Sequence, residues 1–141
     1  MGCNFHCPFC QNYSISQHIF STDTLSPAEL VKMAQNQNSF GVAYTYSEPV
    51  VHYEYVKKAS EEAHEMGIKN VLVTNGYLLP EPTKELLPLI DAVNIDLKAF
   101  SDDFYKKEIG GLLQPVLDFI EMAYRFSWIE ITTLIIPGKN D

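Results

Sequence analysis

The chain has 141 residues, of which 46% are hydrophobic and 20% charged, as is typical of a soluble globular protein that forms one domain at most. The formal net charge is -8 and there is no run of Lys or Arg, which argues against a nucleic acid or an anionic membrane as partner. No stretch is long and apolar enough to cross a bilayer, and no signal-peptide pattern is present, so we expect a cytoplasmic protein.

The first predicted feature is a loop at residues 1–14. It holds every cysteine of the chain: Cys3, Cys7 and Cys10. Their Cys-x3-Cys-x2-Cys spacing lets three thiolates surround one inorganic centre, whereas four would saturate a zinc ion or a [4Fe–4S] cube. The alternatives are a structural zinc site with His6 or His18 as fourth ligand, and reduced cysteines that hold no metal. Because one turn can hardly aim both His6 and its neighbour Cys7 inward, a cluster with one open position is favoured.

The rest of the chain alternates helix and strand patterns. Residues 11–24 are polar and predict an irregular segment, after which Ser26 and Glu29 form a capping box that begins a helix. Periodicity then predicts strands at residues 41–46, 68–74, 92–98 and 129–136, and helices over about seventeen residues after Pro49 and at residues 83–90, 101–107 and 115–126. The apolar stripes of the second and last helices include Met66, Leu117, Ile120 and Tyr124.

This alternation predicts right-handed crossovers and a curved parallel sheet, in which chemistry gathers at the carboxyl ends of the strands. Polar residues occur at those ends: Ser47, Glu48, Thr74, Asn75, Asp96 and Lys98, with Thr132 and Thr133 slightly earlier in the last strand. The strand bodies stay apolar. The pattern indicates a site for a small polar ligand at one edge of the sheet.

Each residue at this edge also has a purely structural interpretation. Asp96 and Lys98 share a strand face, roughly 6–7 Å apart, and either form a salt bridge or contact the hydroxyl and carboxylate groups of a ligand. Glu48 before Pro49 suits a helix N-terminus, and residues 74–76 suit a turn. Three aromatic residues could wall a pocket: Tyr44, Tyr46 and Tyr77.

The segment CNFHCPFCQN resembles the cluster loop of radical S-adenosylmethionine (SAM) enzymes, with Phe9 as the aromatic residue before the last cysteine. The resemblance implies a [4Fe–4S] cluster held by Cys3, Cys7 and Cys10, SAM on the fourth iron, and contact between the Phe9 backbone and adenine. Glu48 matches the acid of a Gly-Gly-Glu type motif that binds the SAM amino group, although Tyr46 and Ser47 replace the glycines.

Further strings resemble particular branches of this family. Asn75-Gly76 and Asp96-Leu97-Lys98 are similar to positions at the SAM site of pyruvate formate-lyase activating enzymes. YTYSEP, IDLKAFSDDFYKK and TTLIIPG resemble the radical SAM enzyme of the AmmeMemoRadiSam system more closely. Two departures from glycyl-radical activating enzymes are Val73, where they carry an Asp, and Thr132, where they carry an Arg.

The resemblance implies an α/β fold, a partial (β/α) barrel with about four parallel strands of an expected six, and residues 1–141 as a radical SAM core truncated at both ends. It implies reductive cleavage of SAM to a 5′-deoxyadenosyl radical, an external electron donor of the flavodoxin or ferredoxin type, and an unidentified substrate, with a protein among the candidates. The alternatives are a glycyl-radical activating enzyme and a zinc-bound structural module or inactive fragment.

Overall fold

The computed structural model describes residues 1–18 and 23–141, and in this part of the chain four strands form one sheet. The strands are β1 (Gly41–Tyr44), β2 (Lys69–Thr74), β3 (Ala92–Asp96) and β4 (Trp128–Thr132). They lie side by side in chain order and each neighbouring pair is parallel. The expected α/β fold with four parallel strands is confirmed. Because all four strands run in the same direction, their carboxyl ends lie at the same edge of the sheet.

Helical segments precede and connect these strands. The helices are α1 (Tyr13–Ser16), α2 (Pro27–Asn36), α3 (Tyr53–Glu65), α4 (Pro80–Leu86), α5 (Asp102–Phe104) and α6 (Leu113–Ala123). Short 3₁₀ turns at Pro49–His52 and Leu87–Leu89 precede α3 and follow α4, and a π-helical turn, Tyr105–Ile109, follows α5. None of these helices, in the part of the chain that is described, is long and apolar enough to cross a membrane.

The predicted start of the helix after Ser26 agrees with the structure, because local chemistry decides it. Ser26 and Glu29 form the predicted capping box, in which the Ser26 side chain accepts a bond from the Glu29 backbone and the Glu29 carboxylate accepts one from the Ser26 backbone. The predicted seventeen-residue helix is instead the turn Pro49–His52 followed by α3. Residues 11–24 are not wholly irregular, because α1 lies within them; residues 19–22 lie outside the described part.

The core lies between the sheet and the helices. Leu72, Val93 and Ile95 project from the strands and are fully buried, and α3 and α6 cover them with small or aromatic side chains such as Ala59 and Phe119. The other face of β3 carries the polar residues, as its alternation predicts. One face of the sheet therefore supplies the core, and the polar face is left for a site.

Two predicted stripe residues are exposed. Tyr124 is 75% exposed because α6 buries Val116, Phe119 and Ala123, whose spacing of three and four residues defines its inner face. Tyr124 follows the last residue of the helix, one position away from that stripe. Met66 is 55% exposed for a similar reason, since it is the C-terminal cap residue of α3.

Candidate active site

A cavity of about 480 Å³ opens at the carboxyl ends of the strands. All eight predicted site residues line it: Cys3, Cys7, Phe9, Cys10, Glu48, Asn75, Asp96 and Lys98. Thus the loop at residues 1–14 and the ends of β1, β2 and β3 meet at one place, as the sheet topology predicts. The structure therefore brings these residues together, and the role of each remains a prediction.

The cysteine loop is held from both sides by the fold. The Gly2 carbonyl accepts a bond from the Glu48 backbone N–H (2.9 Å), and the Ile109 carbonyl accepts one from the His6 N–H (3.0 Å). Phe5 is almost fully buried, between the rings of Tyr77 and Tyr105. Since Phe5 is anchored in the core, the cysteines on either side of it are directed towards the cavity.

The three cysteines are free thiols, of which Cys7 is buried and the other two are partly buried. In residues 1–18 and 23–141, no three His, Cys, Asp or Glu side chains are arranged to hold one metal ion. His6 is exposed, and the ring of His18 packs edge-on against Tyr13. Three free thiols that line one cavity supply the type of ligand that holds a [4Fe–4S] cube.

Burial changes the acidity of two of these thiols. It raises the pKa of Cys7 to about 11, against a partial lowering by the positive charge of Lys98, and it also raises the pKa of Cys3. Both groups are therefore protonated thiols at neutral pH in the metal-free protein. Binding of an iron centre must displace those protons, because the thiolate is the ligand.

Glu48 is a buried carboxylate, only 2% exposed, that joins two strand ends. Its Oε1 accepts bonds from the Thr74 hydroxyl (2.7 Å) and the Val50 N–H (3.1 Å), and its Oε2 accepts one from the Asn75 N–H (2.7 Å). Burial raises the pKa of Glu48, although these three donors oppose the rise. The bond from Val50 caps the turn Pro49–His52, so the predicted helix-terminal role of this carboxylate is present.

Asn75 connects β2 to the cysteine loop through its side chain. Its Nδ2 donates to Asn4 Oδ1 at 2.7 Å and lies 3.7 Å from Cys3 Sγ, and its Oδ1 accepts from the Tyr77 N–H at 2.8 Å. Asn4 in turn donates to the Tyr77 carbonyl at 2.8 Å. Asn4 has no signal in the sequence, because a residue between two cysteines carries no pattern of its own.

Asp96 and Lys98 form a salt bridge of 2.7 Å at the end of β3. Side-chain exposure is 39% for Asp96 and 19% for Lys98, so the pair is shielded but still reaches the cavity. Lys98 is also the cation that acts on Glu48 and on two of the cysteines. The salt bridge expected on the structural interpretation is present, and it places one acid and one base beside the thiols.

The aromatic residues divide between core and cavity. Among the three predicted candidates Tyr44 is buried and donates to Asn70, Tyr77 packs on Phe5, and Tyr46 lines the cavity. The Phe9 ring packs at 6.1 Å from that of Phe104.

Tyr46 and Ser47, which stand where the related motif has glycines, have a backbone conformation that glycine adopts freely. Tyr46 has φ 61° and Ser47 has φ 50°, so both lie in the left-handed region. The loop before Glu48 thus has the conformation that glycines favour, in spite of its side chains.

Further lining residues were not identified from sequence. They include Gln11, Asn12, Ser16 and Thr45. No spacing marks Gln11, Asn12 and Ser16, because they reach the cavity only when the segment after the cysteines folds onto the strands, whereas Thr45 directly follows β1. The two positions that depart from glycyl-radical activating enzymes, Val73 and Thr132, also line the cavity.

The packing of Phe5 gives a first prediction. A Cβ built on Gly111 would lie 2.5 Å from Cε1 of the Phe5 ring, which is buried and cannot withdraw. We expect Gly111→Ala to destabilise the protein by about 1–3 kcal/mol, because overpacking forces the ring or the backbone to shift. Urea unfolding of the variant measures this loss. Phe5→Leu in the same chain should remove the clash, so the double variant should be more stable than the sum of the single losses; additive losses, or a neutral Gly111→Ala, would contradict the prediction.

Together the fold and the site define a class of protein: an α/β parallel sheet that places three free cysteines, an acid and a base at the carboxyl ends of its strands. The chain belongs to the radical SAM superfamily, whose family model matches residues 1–141. Members of this superfamily are enzymes that use a [4Fe–4S] cluster and SAM.

Two curated relatives illustrate the similarity. An uncharacterized protein of Methanocaldococcus jannaschii is 44% identical over 146 residues, covering 99% of this chain and 42% of the relative. Pyruvate formate-lyase 1-activating enzyme of Escherichia coli (strain K12) is 24% identical over 148 residues, covering 99% of this chain and 60% of that enzyme. The chain therefore spans roughly half the length of these relatives.

The fold is similar to that of solved structures as well. TYW1, solved with a lysine-pyruvate adduct bound, superposes with a TM-score of 0.65 at 22% sequence identity, covering 99% of this chain and 54% of that protein. At this identity the comparison shows that the two share a fold.

Proposed function

We propose that Cys3, Cys7 and Cys10 hold a [4Fe–4S] cluster and that residues around the same cavity bind SAM. A cluster held there would supply the electron for reductive cleavage of SAM to methionine and a 5′-deoxyadenosyl radical, which would abstract hydrogen from a substrate. One observation carries the proposal: three free thiols, a buried carboxylate and an acid–base pair line one cavity.

The buried carboxylate would receive the ammonium group of SAM. Its two oxygens offer about four lone-pair directions, of which three are taken by Thr74, Val50 and Asn75. One direction is left for a charged donor from the cavity. Burial disfavours the negative charge of Glu48, and the three neutral donors offset this desolvation cost only in part. A positively charged ammonium partner would offset it further.

The other strand-end residues orient the nucleotide. Asp96 would accept bonds from the ribose hydroxyls, and Lys98, next to it, would pair with the carboxylate of SAM. The backbone at Phe9, in the cysteine loop, would contact adenine. Asn75 would act on the ligand and on the loop together, because its side chain already bonds Asn4.

The test is anaerobic reconstitution with iron and sulfide. We expect a brown protein with iron and sulfide near four each per chain, and formation of methionine and 5′-deoxyadenosine from SAM when a reductant is added. A colourless protein with one tightly held zinc ion and no SAM binding would contradict the proposal and support the structural zinc module.

A second prediction concerns the acid–base pair. We expect Lys98→Met to weaken SAM binding to the reconstituted protein about ten- to a hundredfold, because a charge-assisted hydrogen bond contributes roughly 1.5–3 kcal/mol. Isothermal titration with SAM measures the dissociation constant. Lys107→Met is the matched control, since Lys107 forms an exposed ion pair with Asp103 and does not line the cavity. Equal affinity for SAM in both variants would contradict a role of Lys98 in binding SAM.

The substrate and the electron donor belong to the proposal as well. We infer an external donor of the flavodoxin or ferredoxin type and a cytoplasmic location, where thiols stay reduced. A protein substrate is supported by the relative named as an activating enzyme of pyruvate formate-lyase. Val73 and Thr132 place uncharged side chains in the cavity where activating enzymes carry charges, so a substrate other than a glycyl-radical enzyme is favoured. A hydrogen-abstraction assay with a candidate glycyl-radical enzyme separates the two.

A further inference from the structure

Ser16 is a buried hydroxyl that the proposed function does not use. It lies in α1, is 5% exposed and lines the cavity, and its Oγ is 3.5 Å from Cys10 Sγ. Its other polar neighbour is the carbonyl of Tyr13 at 3.4 Å. The hydroxyl has one proton, which it can offer to only one of these two acceptors at a time.

The state of Cys10 decides where that proton points. A thiol can itself donate to Ser16, which leaves the hydroxyl proton for the Tyr13 carbonyl. A thiolate that binds iron has no proton and accepts only, so the hydroxyl must turn to it. A hydrogen bond to an ionised acceptor is also roughly twice as strong as one between neutral groups. With a metal centre in place, the bond to sulfur is therefore favoured over the bond to the carbonyl.

We propose that Ser16 is a positioning residue whose hydroxyl donates to the ligand sulfur of Cys10 and raises the reduction potential of the cluster. The inference rests on the proposed function, because it needs a cluster on these cysteines. Reduction adds one negative charge to the cluster, and a donor directed at a ligand sulfur stabilises that charge. The residue thereby makes the electron easier to deliver.

The experiment compares midpoint potentials of reconstituted proteins in the absence of SAM, measured by redox titration followed by electron paramagnetic resonance. We expect Ser16→Ala to lower the equilibrium constant for one-electron reduction about threefold, a shift of about 30 mV to more negative potential at 59 mV per tenfold. Ser14→Ala is the matched control, since Ser14 lies on the same short helix but is exposed, and its potential should equal that of the unsubstituted protein.

A second pair of variants separates the hydroxyl from packing. Ser16→Thr keeps the hydroxyl and should keep the midpoint potential of the cluster. Valine has nearly the shape of threonine but no hydroxyl, so Ser16→Val should shift the midpoint potential as Ser16→Ala does. Equal potentials in the threonine and valine variants would overturn the inference while leaving the proposed function intact. An unsubstituted protein that takes up no [4Fe–4S] cluster would instead overturn the proposed function.

Discussion

Cys7→Ser should abolish cluster binding and SAM cleavage together. Cys7 is the most buried of the three cysteines and lines the cavity. Its carbonyl accepts a hydrogen bond from the Cys10 N–H (3.2 Å), which closes a tight turn between the two cysteines. With only two thiolates left, the cube loses a ligand that the chain cannot replace with another cysteine. Iron and sulfide after reconstitution should fall from near four each to background, and 5′-deoxyadenosine should be undetectable.

The control for this loss is the adjacent histidine. His6 is exposed, so His6→Ala should keep the full iron and sulfide content and the absorbance of the cluster. Serine differs from cysteine by one atom, and circular dichroism should show that the Cys7 variant remains folded. A Cys7 variant with four irons, or a His6 variant that loses its metal, would contradict the ligand assignment; the second result would favour zinc.

Glu48→Ala should be the most destabilising single change at the strand ends. It would leave the Thr74 hydroxyl and the backbone N–H groups of Val50 and Asn75 without their acceptor in a buried place. An unsatisfied buried donor costs about 1–3 kcal/mol, so the loss in the free energy of unfolding should be about 3 kcal/mol or more. Urea unfolding of the metal-free protein measures it.

Glu48→Gln tests the charge separately. Its amide can supply one acceptor oxygen, so its NH₂ group must face either Asn75 N–H or the pair formed by Thr74 and Val50, and we expect a loss of about 1–3 kcal/mol. Glu85→Gln is the control, because Glu85 forms an exposed ion pair with Lys57 and should cost under about 1 kcal/mol. Equal losses at both positions would contradict the buried network.

The pH dependence of this difference has a definite sign. Burial raises the pKa of Glu48, so between its unfolded and folded pKa values the folded protein binds the proton more tightly than the unfolded chain does. The stability due to this proton is present below the ordinary glutamate range and is lost as the pH rises through the folded pKa. The stability of the unsubstituted protein relative to Glu48→Gln should therefore increase as the pH is lowered from neutral, and a flat difference would contradict a raised pKa.

Much of the fold could be predicted because its signals are local. The capping box of Ser26 and Glu29 involves residues three apart, and the alternation in β3 follows from its own residues. The parallel order of the strands follows from the alternation of strands and helices. The gathering of Glu48, Asn75 and Asp96 near the cysteines then follows from the topology, since parallel strands end at one edge.

The remaining features depend on tertiary contacts. Asn4, Ser16 and Gly111 have no pattern in sequence, and each acquires its place only when the cysteine loop packs on other elements. Spacing predicts that Tyr124 lies in the core, yet the buried face of α6 consists of Val116, Phe119 and Ala123. Periodicity predicts that a helix has an apolar face, but the elements packed against the helix decide which of two adjacent positions is buried.

The left-handed backbone at Tyr46 and Ser47 has a consequence for how this chain can diverge. Each such residue costs roughly 1–2 kcal/mol relative to the right-handed form, so glycine, or to a lesser degree asparagine or aspartate, can replace either without penalty to the loop. Valine, isoleucine and threonine cannot, because their branched Cβ collides with the backbone there. Substitution at these two positions is therefore restricted to residues without a branched Cβ, whatever ligand the adjoining carboxylate receives.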